Sequence, residues 1–240
     1  MAITAVFLDL YQTLAYFHPS RETRQLQALK DFGFEADFKA ICAAYLRADY
    51  HYTLAGQERP IHLRSEQERE EIYLRFQRFI LEDLGLSSAL PLVREIRDRY
   101  ATIPRAFTLY PDVIPAVRQL SDAGYRVGVI TNVTDDPSEV LQKAGLGESL
   151  ASITASCVTG CEKPDRRIFQ AALDSLGASA GEAVHVGDQL HADVEGARGA
   201  GMRAVLLDRF DVQADLYPHR ITTLLDLVPL LRSGALDQEE

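Results

Sequence analysis

The chain has 240 residues, 47% of them hydrophobic and 25% charged, with a formal net charge of −10. That is the composition of an ordinary globular protein, long enough for one large domain or for a domain with an insert. The acidic balance argues against nucleic acid or an anionic membrane as partner, and an anionic substrate would need positive charge gathered locally.

Residues 3–9 read as a first strand, Ala5-Val6-Phe7-Leu8 running straight into Asp9. The pattern then changes to helices for about ninety residues. Leu26, Leu29 and Phe32 suggest a short helix stopped at Gly33. Phe38, Ile41, Cys42, Tyr45 and Leu46 recur at helical spacing. Ser65 with Glu68 forms a capping box ahead of Ile72, Phe76, Phe79 and Ile80, and Gly85 ends that helix. Leu92, Val93, Ile96 and Tyr100 make another stripe, and no strand is expected between Leu14 and Thr102.

From Tyr110 the chain alternates. Helices are expected over 112–123, about 137–144, 165–176 and 192–201, and strands over 126–131, 153–158, 183–187 and 203–207. Alternating short apolar strands and helices predict a parallel sheet covered on both faces. The fold class is therefore α/β, a Rossmann-like parallel sheet core with a helical cap inserted after the first strand. The expected boundaries are residues 1–15 plus 105–240 for the core and 16–104 for the cap. An insert at that point would lie over the carboxyl edge of the sheet, where sites of open α/β sheets form, and would exclude water and select substrates as lids do.

Three cysteines give no disulfide framework. Cys157 and Cys161 lie four apart with no second Cys or His pair, so they read as core or near-core thiols in a reducing cytosol rather than zinc ligands. No basic stretch precedes the first apolar run, and no apolar run approaches a membrane span, so the expected location is cytoplasmic.

Four strand-end or pre-helix positions carry chemistry. Asp9 is placed as a sheet places a nucleophile at its carboxyl edge, and a carboxylate there can form a covalent intermediate that water cleaves. Alone it reads more readily as a capping or turn carboxylate, and it is the other three elements that favour catalysis. Thr131-Asn132 ends a strand, where a hydroxyl and backbone N–H groups can hold an anionic oxygen. Lys163-Pro164 fixes an ammonium just before a helix, where it would neutralise nucleophile and substrate charge. Asp188 follows a strand and Asp193 lies five residues on. These are either helix-capping acids or carboxylates that repel Asp9 unless a cation lies between them. Hard oxygen ligands with an expected phosphate favour Mg²⁺.

This set resembles the haloacid dehalogenase-like hydrolase superfamily, in the branch whose helical cap follows the first motif. The motifs are Asp9-Leu10-Tyr11-Gln12-Thr13-Leu14, Thr131-Asn132, Lys163-Pro164, and Gly187-Asp188 through Asp193. The resemblance implies Asp9 as nucleophile, and Thr131 and Lys163 as binders of the transferring group. It implies Mg²⁺ held by Asp9, the main-chain carbonyl of Tyr11 and Asp188, with Asp193 supporting the metal site from outside. Family phosphatases carry Asp where this chain has Tyr11, and frequently Gly where it has Gln12. A phenol with a pKa near 10 donates a proton but is a poor base at neutral pH. Tyrosine there is usual in the L-2-haloacid dehalogenase branch, whose halide leaves without a proton. Those enzymes work without metal and carry neutral residues where this chain has Asp188.

Three readings therefore stand. One is a Mg²⁺-dependent hydrolase of a small phosphorylated, anionic metabolite. The second is a metal-independent L-2-haloacid dehalogenase, and the third a non-enzymatic binding or regulatory protein on the same fold. The cap would choose the substrate by shape, and the sequence carries no sign of oligomeric state. Of the remaining residues, His18 reads as surface or substrate contact, His185 as packed or hydrogen-bonded in its strand, and His191 as metal support or solvated. Tyr45, Tyr50, Tyr52 and Tyr73 read as helix packing, Arg94, Arg97 and Arg99 as a solvated helix face, and Asp237-Gln238-Glu239-Glu240 as a frayed tail.

Overall fold

The computed structural model describes residues 2–237, so Gln238, Glu239 and Glu240 of the acidic tail lie outside the described residues. In β1, Ala5–Leu8, every side chain is buried, as a strand covered on both faces requires. The chain bends through residues 9–14 into β2, Ala15–His18. Four helices follow: α1 Arg21–Asp31, α2 Phe38–Glu58, α3 Glu66–Asp83 and α4 Leu90–Thr102. β3, Ala106–Leu109, then pairs with β2 in a two-stranded sheet.

Beyond it come α5 Val113–Asp122, β4 Arg126–Thr131, α6 Ser138–Lys143, β5 Ser152–Ala155, α7 Ser156–Thr159 and α8 Arg166–Leu176. β6 Ala183–Gly187, α9 Gly196–Gly199, β7 Arg203–Leu207, β8 Arg220–Ile221 and α10 Leu227–Ser233 complete the described chain. It divides into two compact units, one running up to Ala15 and again from Leu109 onward, the other Tyr16–Thr108.

The larger unit is an α/β layer structure on a six-stranded sheet of order β5-β4-β1-β6-β7-β8, parallel throughout. The order reverses beside β1, since β4 and β5 extend one way and β6, β7 and β8 the other. Ligand crevices of open α/β sheets form at such a reversal, outside the carboxyl ends of the strands. α8 shows how helices are fastened to the sheet. The Asp165 carboxylate accepts from the Arg167 N–H at its start, Ile168, Phe169, Ala172 and Leu173 form its buried stripe, and Gly177 closes it in a left-handed conformation. That stripe joins Phe7, Ile130, Val194 and Leu206 in one apolar core.

The smaller unit has its own core. Leu29, Ile41, Tyr45, Ile80, Leu81, Val93 and Ile96 pack between α1, α2, α3 and α4. The Ser65–Glu68 capping box starts α3 as the sequence predicts. Tyr45 is buried, Tyr52 stacks on Tyr73, and Tyr50 is exposed. Arg94 and Arg97 pair with Glu70 of α3 and Arg99 with Asp31 of α1, so this basic face is ion-paired to neighbouring helices while it stays in part open to solvent, as expected.

Two expected elements differ in extent, and other elements are additional. β2 lies where no strand is expected. Its four residues pair with β3 about ninety positions later, and so short a run shows no period of its own. The expected strand 153–158 ends at Ala155 because Ser156 turns the chain, its hydroxyl accepting from the Val133 N–H at 2.9 Å and donating to the Val133 carbonyl at 3.0 Å. The expected helix 192–201 instead begins as a π-helical stretch, Leu190–Glu195, and only then becomes α9. The wide winding lets the Asp193 carboxylate turn inward, where it accepts from the Gln189 N–H. β3, β8 and α10 likewise lie outside the expected elements.

Candidate active site

The strand order brings the chemistry-bearing residues together. Asp9 directly follows β1, Thr131 ends β4, and Asp188 directly follows β6, and these are three adjacent strands. The Asp9 N–H donates to the Val186 carbonyl at 2.9 Å, which extends the β1–β6 ladder to the carboxylate-bearing residue itself. Lys163, from the loop before α8, is buried and donates to Asp9 Oδ1 at 2.6 Å and to Asp193 Oδ1 at 2.5 Å. Asn132 holds that loop, accepting from the Lys163 N–H at 2.7 Å and donating to the Lys163 carbonyl at 2.9 Å. Its side chain therefore orients Lys163, a role the sequence did not reveal.

Asp193 is engaged on both oxygens. Oδ1 also meets His185 Nε2 at 2.9 Å, and Oδ2 accepts from the Gln189 N–H at 3.0 Å. Gly187 makes this possible, because a Cβ there would lie 2.1 Å from Asp193 Cγ. His185 is fully buried, and its position inside β6 accords with a hydrogen-bonded structural histidine. Tyr11 is half-buried and bridges to Ala15. Gln12 adopts φ 64, the left-handed conformation that explains why glycine suits this position. His18 is exposed, and His191 turns to Glu195 at 2.6 Å. Cys42 and Cys161 are buried and Cys157 is half-buried.

Burial pushes the Asp9 carboxyl up to about 6, against the pull of the Lys163 ammonium and with the help of the neighbouring Asp193 charge. Burial also opposes charge on Asp193, but Lys163 and the His185 hydrogen bond together hold it well below the usual carboxylate range. Burial would strip the proton from Lys163. The flanking Asp193 and Asp9 instead raise its pKa, so it stays an ammonium. Burial, seconded by Lys163, lowers His185 and keeps its ring neutral at neutral pH.

Oxygen atoms of Asp9, Asp188 and Asp193 converge within 4.8 Å of one another. With all three ionised, one ammonium leaves two negative charges over, in a largely buried place. An all-oxygen donor set with that surplus fits a hard divalent cation such as Mg²⁺. Because Asp193 is already committed to Lys163, His185 and Gln189, Asp9 and Asp188 would be better placed to ligate such an ion directly.

The sequence model of the haloacid dehalogenase-like hydrolases matches residues 3–201. The chain belongs to that family. It is 35% identical over 142 residues to phosphoserine phosphatase of Thermus thermophilus, covering 59% of this chain and 55% of that one. It is 29% identical over 217 residues to ribulose-1,5-bisphosphate 5-phosphatase of Halopiger xanaduensis, covering 85% and 84%. Among solved structures, 2-haloacid dehalogenase of Pseudomonas syringae superposes with a TM-score of 0.56 at 28% identity, covering 97% of this chain and 100% of that one. The chain spans about half the length of the phosphoserine phosphatase. No described helix is long and apolar enough to cross a membrane.

Proposed function

We propose that this protein is a hydrolase, a Mg²⁺-dependent phosphatase of a small phosphorylated metabolite, located in the cytoplasm and using Asp9 as its nucleophile. The observation that carries this reading is the convergence of Asp188 with Asp9 on neighbouring strand ends. A site that works without metal gains nothing from a second carboxylate beside its nucleophile. The relatives named as phosphatases support the same substrate class.

In this reading an Asp9 oxygen attacks phosphorus and the ester oxygen departs with the bonding electrons, leaving an aspartyl phosphate. Water then attacks phosphorus, inorganic phosphate leaves, and the Asp9 carboxylate is restored. Asp9, Asp188 and the main-chain carbonyl of Tyr11 would hold the metal, with Asp193 in support, and the ion would neutralise phosphate charge. Lys163 offsets negative charge on the attacked group, and Thr131 binds its oxygens at the end of β4. Tyr11 stands where an acid–base carboxylate would serve. Its phenol can protonate the leaving oxygen but activates water poorly, so turnover is expected to be slow and to favour good leaving groups.

Tyr11, with the full-length similarity to a 2-haloacid dehalogenase, favours a second reading. There Asp9 displaces halide from carbon, and no proton is needed. Paired assays of phosphate release from 4-nitrophenyl phosphate and chloride release from L-2-chloropropionate, each with Mg²⁺ or chelator, separate the two. Chloride release in chelator with no phosphate release in Mg²⁺ would overturn the phosphatase reading.

A further inference from the structure

Outside the four motifs, one loop reaches two of them. Asp208–Gln213 follows β7, which is separated from β1 by β6. Gln213 is buried, and its Nε2 donates to the main-chain carbonyl of Asp188 at 3.0 Å. Arg209 donates to the main-chain carbonyl of Thr13 at 2.7 Å, in the turn that follows Asp9. Both anchors are themselves fixed. The Asp208 carboxylate accepts from the Val212 N–H at 3.0 Å, the Gln213 N–H at 2.8 Å and Arg220 at 2.8 Å. Arg209 pairs with both oxygens of Asp112 at 3.0 and 3.1 Å and lies 3.9 Å over the Tyr110 ring. Asp112 is held in turn by the Thr223 hydroxyl at 2.7 Å and the Leu224 N–H at 2.9 Å. Tyr110 donates from its hydroxyl to Gln12 Oε1 at 3.2 Å and from its N–H to the Leu14 carbonyl at 3.0 Å.

We infer that this loop braces the reaction centre, and that Arg209 and Gln213 are positioning residues for the turns bearing Asp9 and Asp188. The inference rests on the proposed roles of those two carboxylates. Their separation matters because an ion and a nucleophile must share one oxygen cluster, and such constellations work only within about 0.5 Å of productive geometry. Strand pairing fixes the chain as far as the Asp9 N–H, which donates to the Val186 carbonyl, and as far as Gly187. Past those points the ladder ends, and the side chains of Arg209 and Gln213 take over the carbonyls it no longer reaches. A planar guanidinium suits this task, since it offers a bidentate face to Asp112 and a further donation to Thr13 from one rigid group.

The test compares wild type with Gln213→Met, which keeps volume but removes the donor, and with Arg209→Lys, which keeps charge but removes the fork. Gln213→Glu and Arg209→Gln serve if either fails to fold. Hydrogen exchange in chelator is expected to quicken about 2–10-fold at residues 188–193 in the Gln213 variant, and at 10–15 in the Arg209 variant, with 38–83 unchanged. Calorimetry should show about tenfold weaker Mg²⁺ binding for Gln213→Met, and kcat should fall while KM stays put. Exchange at 188–193 and 10–15 identical to wild type, or quickened uniformly over both units, would overturn the brace. Wild type that binds no Mg²⁺ would reject the metal-dependent reading alone, because exchange in chelator still decides the brace.

Discussion

Asp9→Asn should stabilise the metal-free protein while abolishing its turnover. Folding raises the Asp9 carboxyl from 3.8 to about 6, chiefly through burial. Below 3.8 the carboxyl is protonated in both states and costs nothing. Between 3.8 and about 6 the unfolded chain releases its proton while the folded chain keeps it, so stability falls as pH rises. Above about 6 the folded state carries a charge it holds less well than water does. At about 1.36 kcal/mol per pKa unit, the penalty at neutral pH is about 3 kcal/mol. An amide of the same shape avoids it, and Lys163 keeps its Asp193 partner at 2.5 Å. For a chain of this size the gain corresponds to about 6–12 °C in Tm.

The assay is thermal unfolding of both proteins in chelator from pH 4 to 8. The variant's advantage should be small at pH 4, grow through pH 5 and 6, and level off above. Mg²⁺ should narrow the gap by stabilising wild type alone, by about 2.7 kcal/mol at a hundred times its Kd. Equal Tm values at pH 7.5 in chelator, or an advantage independent of pH, would refute the reasoning. Full hydrolytic activity in the folded variant would exclude Asp9 as nucleophile.

Tyr11→Asp restores an acid–base group to a phosphatase framework and should raise phosphate release, by at most the 10²–10⁴-fold of about 3–5 kcal/mol that such groups contribute; in a dehalogenase the same change adds charge beside Asp9 and should lower chloride release instead. Gly187→Ala places a methyl 2.1 Å from Asp193 Cγ, so Asp193 must leave Lys163 and His185, and both Tm and kcat should drop; a wild-type kcat would show that Asp193 is dispensable. Lys163→Met leaves Asp9 and Asp193 buried without their shared ammonium and should cost about 3–5 kcal/mol by chemical denaturation at pH 7.5. That loss should shrink toward pH 5 as Asp9 takes up a proton, and a pH-independent loss would count against the coupling.

The parts of the site legible in the sequence are those fixed by strand ends. Asp9, Thr131 and Asp188 each terminate or follow an apolar run, and parallel pairing of adjacent strands brings such termini to one edge whatever lies between them. The same logic gave the order of strands and helices in the larger unit, because apolar periodicity is a local property. Contacts made by polar side chains across the fold leave no such trace. Nothing near Asn132 marks it as the clamp of a residue 31 positions away, and Arg209 reaches a carbonyl 196 positions earlier. β2 leaves no trace for a related reason, since its pairing partner is remote and its four residues are too few for a pattern.

At motif four the alternatives of capping acid and charged cluster meet in one residue. Asp193 accepts from the Gln189 N–H at the start of its own π-helical stretch, and its other oxygen turns inward past a glycine that has no Cβ to block it. Its two oxygens are spent on Lys163, His185 and Gln189, which leaves Asp9 and Asp188 facing one another with a single buried ammonium nearby. Two carboxylates in that position raise the free energy of the folded chain unless something positive lies between them. Affinity for a divalent cation would be one expression of that charge surplus, whereas the raised Asp9 pKa reflects burial first and the neighbouring Asp193 charge second. Both should respond together when Lys163 is neutralised, because its ammonium is the charge that pulls the Asp9 pKa down.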